Sequence, residues 1–480
     1  MRAYTLRLLM PLGIATLLSC GVARSQFPED ALRLSMPGIG VGTRALGMGT
    51  AYTGIASDYS ALYWNPAGLA QLKYGEFMGA FTFPSVTDEG LFFGNTTSTT
   101  ASGAHLGALG FAAPFPVKRG SFVVALGFHR DNSFVNGLGY EGFNPSYSYI
   151  QNSAPDGQPY GYDLADNLAY QLYLADLDTV NGVFISPIRD RVTQLAQVSE
   201  SGGIDAWSIA GAMDLAYNFS FGVTLTYHAG SYTYDRRYTE EDRDQIYQTY
   251  PYDFGILMVD EFIEDDISGF SARFGVHYRG DFLRFGLVAT TPTWYSVKES
   301  FGVSNASTTF DDGSSEPANA RFATRYYTEY DVTTPWVLSG GLAFSFGDLL
   351  VLSGSADMRD YSTMKFSDAT PEVEGLNNDI RTTFRTTVNL RAGAELMIPW
   401  TTIRLRAGAM LLPSPYKDDP DDYDRKYITG GIGILFGGNV MLEAAYAYGW
   451  WDSIRANDVA SSVYEHVTSQ TAMLGLSYRF

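Results

Sequence analysis

Cysteine is nearly absent. The 480-residue chain has one, Cys20, so no internal disulfide can form. Long apolar runs are missing as well. Beyond the N-terminal region no segment offers the roughly 18 uninterrupted apolar residues of a membrane helix. Basic charge is scarce: 32 Lys and Arg stand against 52 Asp and Glu, a formal net charge of −20. Phosphate recognition needs a basic face, so nucleic acid is excluded as a partner. Catalytic motifs are lacking too. His105, His129, His228, His277 and His466 fall in different segments, with no H-E-x-x-H and no G-x-S-x-G. The chain is expected not to be an enzyme and to carry no cofactor or metal. A lipid hydrolase in a barrel wall needs a Ser–His pair that meets in space, which spacing alone does not exclude.

What is abundant points elsewhere. Aromatic residues make up 15%, with 33 Tyr and 30 Phe, and glycine reaches 50. Tyr and Phe suit the interfacial girdles of a transmembrane barrel, and Gly suits turns and a crowded lumen. A mean hydropathy of −0.08 is too low for a helical membrane protein but fits a barrel, where only alternate residues face lipid.

The last twelve residues show the pattern most clearly. Ala472, Leu474, Leu476, Tyr478 and Phe480 share one parity; Thr471, Met473, Gly475, Ser477 and Arg479 hold the other. Successive strand residues point to opposite faces. The apolar face looks inward in a soluble sandwich and out at lipid in a barrel. Alternation recurs through the chain and predicts fourteen strands, near 75–83, 104–114, 121–131, 205–217, 220–236, 267–279, 282–298, 326–346, 348–364, 381–397, 402–412, 426–437, 440–451 and 469–480. The gaps alternate in length. Short turns such as Asn218-Phe219, Gly347-Asp348 and Gly437-Gly438-Asn439 interleave with long loops near 84–103, 132–204, 237–266, 299–325, 365–380, 413–425 and 452–468. Short turns on one side and long loops on the other are the layout of an outer-membrane barrel, with both termini periplasmic. The expected fold is therefore an all-β, 14-stranded antiparallel transmembrane barrel.

Parity also assigns facing. Val388, Leu390, Ala392, Ala394 and Leu396 point out, with Asn389, Arg391, Gly393 and Glu395 pointing in. Likewise Leu405 and Ala407 point out while Arg404 and Arg406 point in; Phe270 and Phe274 point out while Ser271, Arg273 and His277 point in; Leu442 points out and Glu443 in. Luminal polar candidates are thus Arg273, Arg391, Glu395, Arg404, Arg406 and Glu443, with Arg284 a further inward cation. A carboxylate head group would be held by such a cation. The plainer expectation is pairing with luminal acids, because an unpaired buried charge is costly.

The N-terminus reads as an export signal over residues 1–25. Arg2 and Arg7 precede an apolar core from Leu8 to Leu18, and Ala23-Arg24-Ser25 forms a cleavage site. The competing reading is a lipobox at Leu17-Leu18-Ser19-Cys20. Residues 26–73 are expected to form a plug, with the barrel over 74–480. Between Gly38 and Leu72 the chain is rich in Ala and Gly and lacks alternation. Gly40-Val41-Gly42-Thr43-Arg44-Ala45 formally matches a dinucleotide fingerprint, but no strand precedes it and no βαβ unit follows. In the loop expected at 237–266, Phe254, Ile256, Leu257, Met258 and Phe262 make an apolar run flanked by acidic residues. An exposed apolar patch marks an interaction site, whereas a buried one is a local core. Leu164, Leu168 and Leu172 have helical spacing in the longest loop. The run Asp418-Asp419-Pro420-Asp421-Asp422-Tyr423-Asp424 lacks calcium-loop spacing and reads as a solvated acidic loop.

The segment Arg44-Ala45-Leu46-Gly47-Met48-Gly49 together with Ser57-Asp58-Tyr59-Ser60-Ala61-Leu62-Tyr63-Trp64-Asn65-Pro66-Ala67-Gly68-Leu69 resembles the N-terminal hatch of the FadL/TodX outer-membrane transport family. Asn65, Pro66, Ala67 and Gly68 carry most of that likeness. Gly203-Ile204-Asp205-Ala206-Trp207, Thr291-Pro292-Thr293-Trp294 and Thr334-Pro335-Trp336 extend it along the chain. The resemblance implies passive uptake of hydrophobic compounds, such as long-chain fatty acids or aromatic hydrocarbons. They are caught on extracellular loops, held in the lumen and released by plug movement around Asn65–Gly68 or through a kinked strand. It also implies contact with outer-membrane lipid and lipopolysaccharide. The terminal Phe480 resembles the signal read by the barrel-assembly machinery. The hatch is similar as well to that of PorV-type barrels of type IX secretion, which is the alternative function.

Overall fold

A computed structural model of the chain describes residues 26–155, 157–159, 164–248, 253–311, 321–458 and 461–480. The expected export signal and Cys20 lie outside the described residues. The strands close into one antiparallel ring of fourteen. In chain order they are β1 (Glu76–Phe92), β2 (His105–Phe115), β3 (Phe122–Ser133), β4 (Val192–Ala216), β5 (Phe219–Glu241), β6 (Phe254–Arg279) and β7 (Leu283–Thr290). There follow β8 (Val337–Phe346), β9 (Leu350–Asp360), β10 (Thr386–Met397), β11 (Ile403–Leu412), β12 (Arg425–Phe436), β13 (Val440–Ala456) and β14 (Ser462–Arg479). The ring shuts where β1 pairs with β14, Phe77 opposite Tyr478 and Ala80 opposite Gly475. At the very end Phe480 N–H donates to Gly75 O at 3.0 Å and Gly75 N–H returns to Phe480 O at 3.1 Å.

Facing follows parity. On β14, Leu474, Leu476 and Tyr478 are exposed while Thr471, Met473 and Ser477 are buried. Leu390, Leu405, Phe270, Phe274 and Leu442 are likewise exposed on the outer wall. This inverts a soluble sheet, and it is what lipid as solvent demands. Short turns gather at the end that holds the β1–β14 closure. In one of them Gly437 and Gly438 both take positive φ (57° and 80°) and Asn439 N–H donates to Phe436 O at 3.2 Å. Two such residues match the strand twist in a two-residue hairpin.

The wall is taller than the alternation implied. β4, β5 and β6 run 25, 23 and 26 residues, whereas about 9–11 residues cross a membrane. More than half of each therefore stands clear above the bilayer. The loop expected at 237–266 is mostly strand, because its apolar run is apolar on both faces: Leu257 and Val259 are buried while Ile256 and Met258 are exposed. The strands expected at 282–298 and 326–346 are each interrupted, at Thr291–Thr293 and Thr334–Trp336. Pro292 and Pro335 cannot donate to the ladder. Instead the Thr291 hydroxyl accepts from Ala272 N–H at 3.0 Å and the Thr334 hydroxyl from Thr293 N–H at 2.8 Å. The segment expected to open a strand at 381 is a helix, Asn377–Thr383, before β10 begins at Thr386.

Above the bilayer, loop elements close a cap. Phe92, Leu138, Ile150, Leu168, Leu172, Phe184, Phe254 and Leu257 share one buried cluster. Among the described residues of the acidic run, Asp421–Tyr423 form a 3-10 turn and the Asp424 carboxylate accepts from Ser414 N–H at 2.9 Å.

Candidate functional site

Inside the ring lies the segment before β1. Its short helices are α1 (Pro28–Ser35), α2 (Thr43–Gly47) and α3 (Ala61–Trp64), followed by a 3-10 turn over Pro66–Gln71. The lower part packs against strand faces made for close approach. A Cβ on Gly275 would sit 2.2 Å from Asn65 Oδ1, one on Gly286 2.2 Å from Thr53 O, and one on Gly393 2.1 Å from Met48 O. Glycine at inward positions of the wall lets the segment's backbone touch the barrel's backbone. Much of the glycine excess is spent there.

Asn65 is fully buried and ties three pieces together. Its Nδ2 donates to Thr53 O and to Val276 O on β6, both at 3.1 Å, and its Oδ1 accepts from Ala67 N–H at 3.2 Å. Pro66 then occupies the first helical position, where a missing N–H costs nothing. At Gly68 a Cβ would meet Ala56 O at 2.0 Å. The four residues singled out by resemblance thus form one fastening between the luminal segment and the wall.

A second fastening is ionic. Arg44 on α2 donates to both carboxylate oxygens of Glu395 on β10, at 2.9 and 2.8 Å. Glu395 also accepts from Arg404 at 3.1 Å and from Arg406 at 2.7 Å, and Arg406 reaches Glu443 at 2.8 Å. Arg391 pairs with Asp357. Five of the six luminal polar candidates are therefore consumed by internal pairing. Arg273 is different. Its partners are the Thr290 hydroxyl at 3.0 Å and the carbonyl of Tyr63, and it lies 4.6 Å from the centre of the Tyr63 ring. Among the described residues no carboxylate forms an ion pair with it.

Above the fastened segment is a cavity of about 1460 Å³. Met36, Ile39, Tyr63, Trp64, Val288 and Tyr295 give it apolar and aromatic walls, and Arg273, Arg359 and Arg391 give it cations. α1 crosses it. Arg33 there pairs with Asp30 at 2.9 Å and stacks on Tyr232, and Arg359 donates to Ser35 O at 2.8 Å. Of the apolar run expected to catch substrate, Phe262 lines this cavity. Phe254 and Leu257 are instead core residues of the cap, and Ile256 and Met258 face outward.

The cavity reaches a fault in the wall. β2 and β3 pair only from Ala108 opposite His129 down to Phe115 opposite Phe122. Above that, His105 and Leu106 pair with β1 alone, and Asn132 and Ser133 pair with β4 alone. Asp131 is an extra residue there: Arg130 faces Asp205 and Asn132 faces Ile204, with Asp131 between. His105, Gly107, Arg130, Asp131, Asn132 and Ser133 all border the cavity. Sequence reading missed this seam and the Asp131 bulge, since neither leaves a trace in periodicity. Among the described residues no group of three or more His, Cys, Asp or Glu gathers to hold a metal.

No family model and no curated relative matches the sequence. Solved structures do match over nearly the whole chain. A FadL homologue from Pseudomonas aeruginosa superposes with TM-score 0.59 at 14% identity, covering 93% of this chain and 100% of that one. The toluene transporter TodX of P. putida gives 0.56 at 13% identity over 92% and 99%. The toluene transporter TbuX of Ralstonia pickettii gives 0.50 at 14% over 92% and 98%. By fold, this chain is a 14-stranded antiparallel β-barrel similar to those of the FadL homologue and the toluene transporters.

Proposed function

We propose that the protein is an outer-membrane conduit for hydrophobic compounds. The observation that carries this reading is the cavity of about 1460 Å³. It lies between a cap and a fastened luminal segment and borders a stretch of wall where β2 and β3 are unpaired. Its apolar and aromatic patch around Met36, Ile39, Trp64, Val288 and Tyr295 is set among charged side chains of both signs, Asp30, Glu200, Glu261, Arg236 and Arg359 among them, which suits an amphipathic ligand with an apolar chain. Among the described residues Arg273 at the floor forms no ion pair with a carboxylate, which fits an amphipath with an anionic head such as a fatty acid. An unpaired seam offers a sideways exit into the bilayer without crossing the fastened segment. The solved neighbours named as hydrocarbon transporters support the same reading.

Uptake of a radiolabelled long-chain fatty acid and of toluene, in cells with and without the protein and in reconstituted vesicles, tests it. Faster entry of at least one compound with the protein present is expected. Equal entry of both in both systems refutes the proposal. Co-purification with secreted protein domains alongside equal uptake would replace it with a role in secretion.

A further inference from the structure

Three inward side chains on three strands meet at the cavity wall. Ser271 on β6 and His228 on β5 are both buried, and Ser271 Oγ lies 2.9 Å from His228 Nε2. On the other side of the ring, His228 Nδ1 lies 3.4 Å from Asp131 Oδ2. All three line the cavity. We propose that this Ser271–His228–Asp131 constellation is an acyl-transfer site that hydrolyses carboxylic esters of hydrophobic chains admitted to the lumen.

The order of contacts is hydroxyl, imidazole, carboxylate, with the two ring nitrogens used in opposite directions. That is the arrangement by which a base takes a serine proton and a carboxylate holds the base's tautomer. Each member is placed by a specific local feature. Ser271 faces Thr226 and His228 faces Gly269 across the β5–β6 ladder, so the pair is diagonal. Gly269 leaves room for Tyr295, whose ring centre is 5.7 Å from that of His228. Asp131 is the extra residue of the β3 bulge, and bulges re-aim side chains. Between β3 and β5 the facing residue of β4 is Ala206, opposite both His129 and His228. Its small side chain lets the carboxylate reach across. Among the described residues no arginine forms an ion pair with this carboxylate, and the neighbouring Arg130 pairs with Asp205 instead. At 3.4 Å the two stand at ion-pair distance and His228 Nδ1 makes no hydrogen bond in the ligand-free site; catalytic hydrogen bonds that are long or misaligned without substrate tighten around it.

Chemistry follows from the geometry. Ser271 Oγ attacks the ester carbonyl carbon as His228 Nε2 accepts the hydroxyl proton. Arg273, two residues along the same strand face, is the nearest cation on β6 for the developing oxyanion. The carbon–oxygen bond to the alcohol breaks, and His228 returns the proton to the leaving oxygen. Water then gives its proton to His228 and adds to the acyl carbon. The bond between the acyl carbon and Ser271 Oγ then breaks, His228 returns its proton to Oγ, and the carboxylic acid leaves. The sum is ester plus water to acid plus alcohol. This inference stands whether or not the barrel transports.

The test uses the full barrel in detergent micelles with two probes, an alkyl fluorophosphonate and p-nitrophenyl octanoate. The expected result is one phosphonyl adduct on Ser271 by peptide mass spectrometry. Octanoate release should fall at least a hundred-fold in Ser271→Ala and His228→Ala. Asp131→Asn should slow labelling of Ser271 at least ten-fold while the unfolding temperature stays put, a split that a purely structural carboxylate would not give. An unlabelled Ser271 in a wild-type barrel that keeps its heat-modifiable gel mobility overturns the proposal. So does turnover in a folded Ser271→Ala barrel equal to wild type. The wild-type labelling decides the matter even if a variant fails to assemble.

Discussion

Removing Glu395 should loosen the luminal segment more than removing Arg44, although the two are partners. Arg44 makes two charged hydrogen bonds to Glu395, at 2.9 and 2.8 Å. In Arg44→Ala the Glu395 carboxylate keeps Arg404 and Arg406, so no buried charge is stranded. The loss is that of a bidentate charged contact, about 2–3 kcal/mol. In Glu395→Ala three guanidinium groups lose their common acceptor. Arg406 retains Glu443 at 2.8 Å, and Arg44 retains only Asp58 at 3.9 Å with the Tyr52 and Ser57 hydroxyls. Uncompensated buried charge costs about 3–5 kcal/mol.

The barrel itself is held by its ladders, so the effect should appear as local opening. Amide hydrogen exchange over residues 43–61 in detergent-purified protein reads it. At 1.4 kcal/mol per factor of ten, exchange should accelerate roughly 30- to 150-fold in Arg44→Ala and roughly 150-fold or more in Glu395→Ala. The double variant should open no faster than Glu395→Ala alone, since one stranded cation has gone. Equal acceleration in the two single variants would refute the charge argument, as would less than ten-fold change in both.

Other consequences are as specific. Asn65→Ala removes the side-chain bonds to Thr53 O, Val276 O and Ala67 N–H and should destabilise the same segment by about 2–4 kcal/mol, read by exchange over 53–68. Gly408→Ala would put a Cβ 2.1 Å from Gly49 N; overpacking of about 1–3 kcal/mol should make the segment protease-sensitive while β11 still pairs. Asp265 sits fourteen residues above the periplasmic end of β6, clear of the bilayer. It is buried opposite Glu299, and burial followed by that like charge pushes its carboxyl up to about 8. The folded state therefore holds a proton that the unfolded chain releases near 4, and stability falls as pH rises from about 4 to 8. Asp265→Asn should raise the unfolding temperature at pH 8 and leave it unchanged at pH 3.5; a gain of equal size at both would refute the linkage. Cysteines at Gly103 and Val135, where a Cβ on residue 103 would lie 3.2 Å from a Val135 methyl, should cross-link the two sides above the seam. Hydrophobe uptake should then drop on oxidation and return on reduction.

Much of the fold was legible because a two-residue period is a local signal. Parity alone put Leu474 outside and Met473 inside, and it set Arg404, Arg406 and Glu395 on one luminal face. Strand height was not legible. Above the bilayer both faces of β4–β6 meet protein or water, so the alternation that marks lipid on one side fades, and Phe254–Phe262 looks like a loop patch. Strand interruptions were marked by Pro292 and Pro335, yet parity continues across them and hid the break. The cavity residues were the least legible. Ser271 was correctly placed facing inward, but its neighbour His228 is set by the register of β5 against β6, and Asp131 by a bulge. Both are non-local facts that no spacing encodes.

The Asp131 bulge joins these observations. One extra residue in β3 shifts its register against β4, just above His129, where β3 parts from β2. The same residue turns its carboxylate to His228. Its carbonyl oxygen also meets the luminal segment, since a Cβ on Gly38 would lie 2.1 Å from it. Seam, imidazole and luminal segment thus share one hinge of backbone. Two variants separate their roles. Asp131→Asn keeps the extra residue and removes only the charge, so it should spare uptake and slow Ser271 labelling. Deleting residue 131 brings Arg130 and Asn132 into consecutive register with Asp205 and Ile204. It removes the kink that bulges impose, so uptake and labelling should fall together. If the deletion left uptake at the wild-type rate, the seam would not be the exit, and the conduit would have to run downward past the Asn65 and Arg44 fastenings.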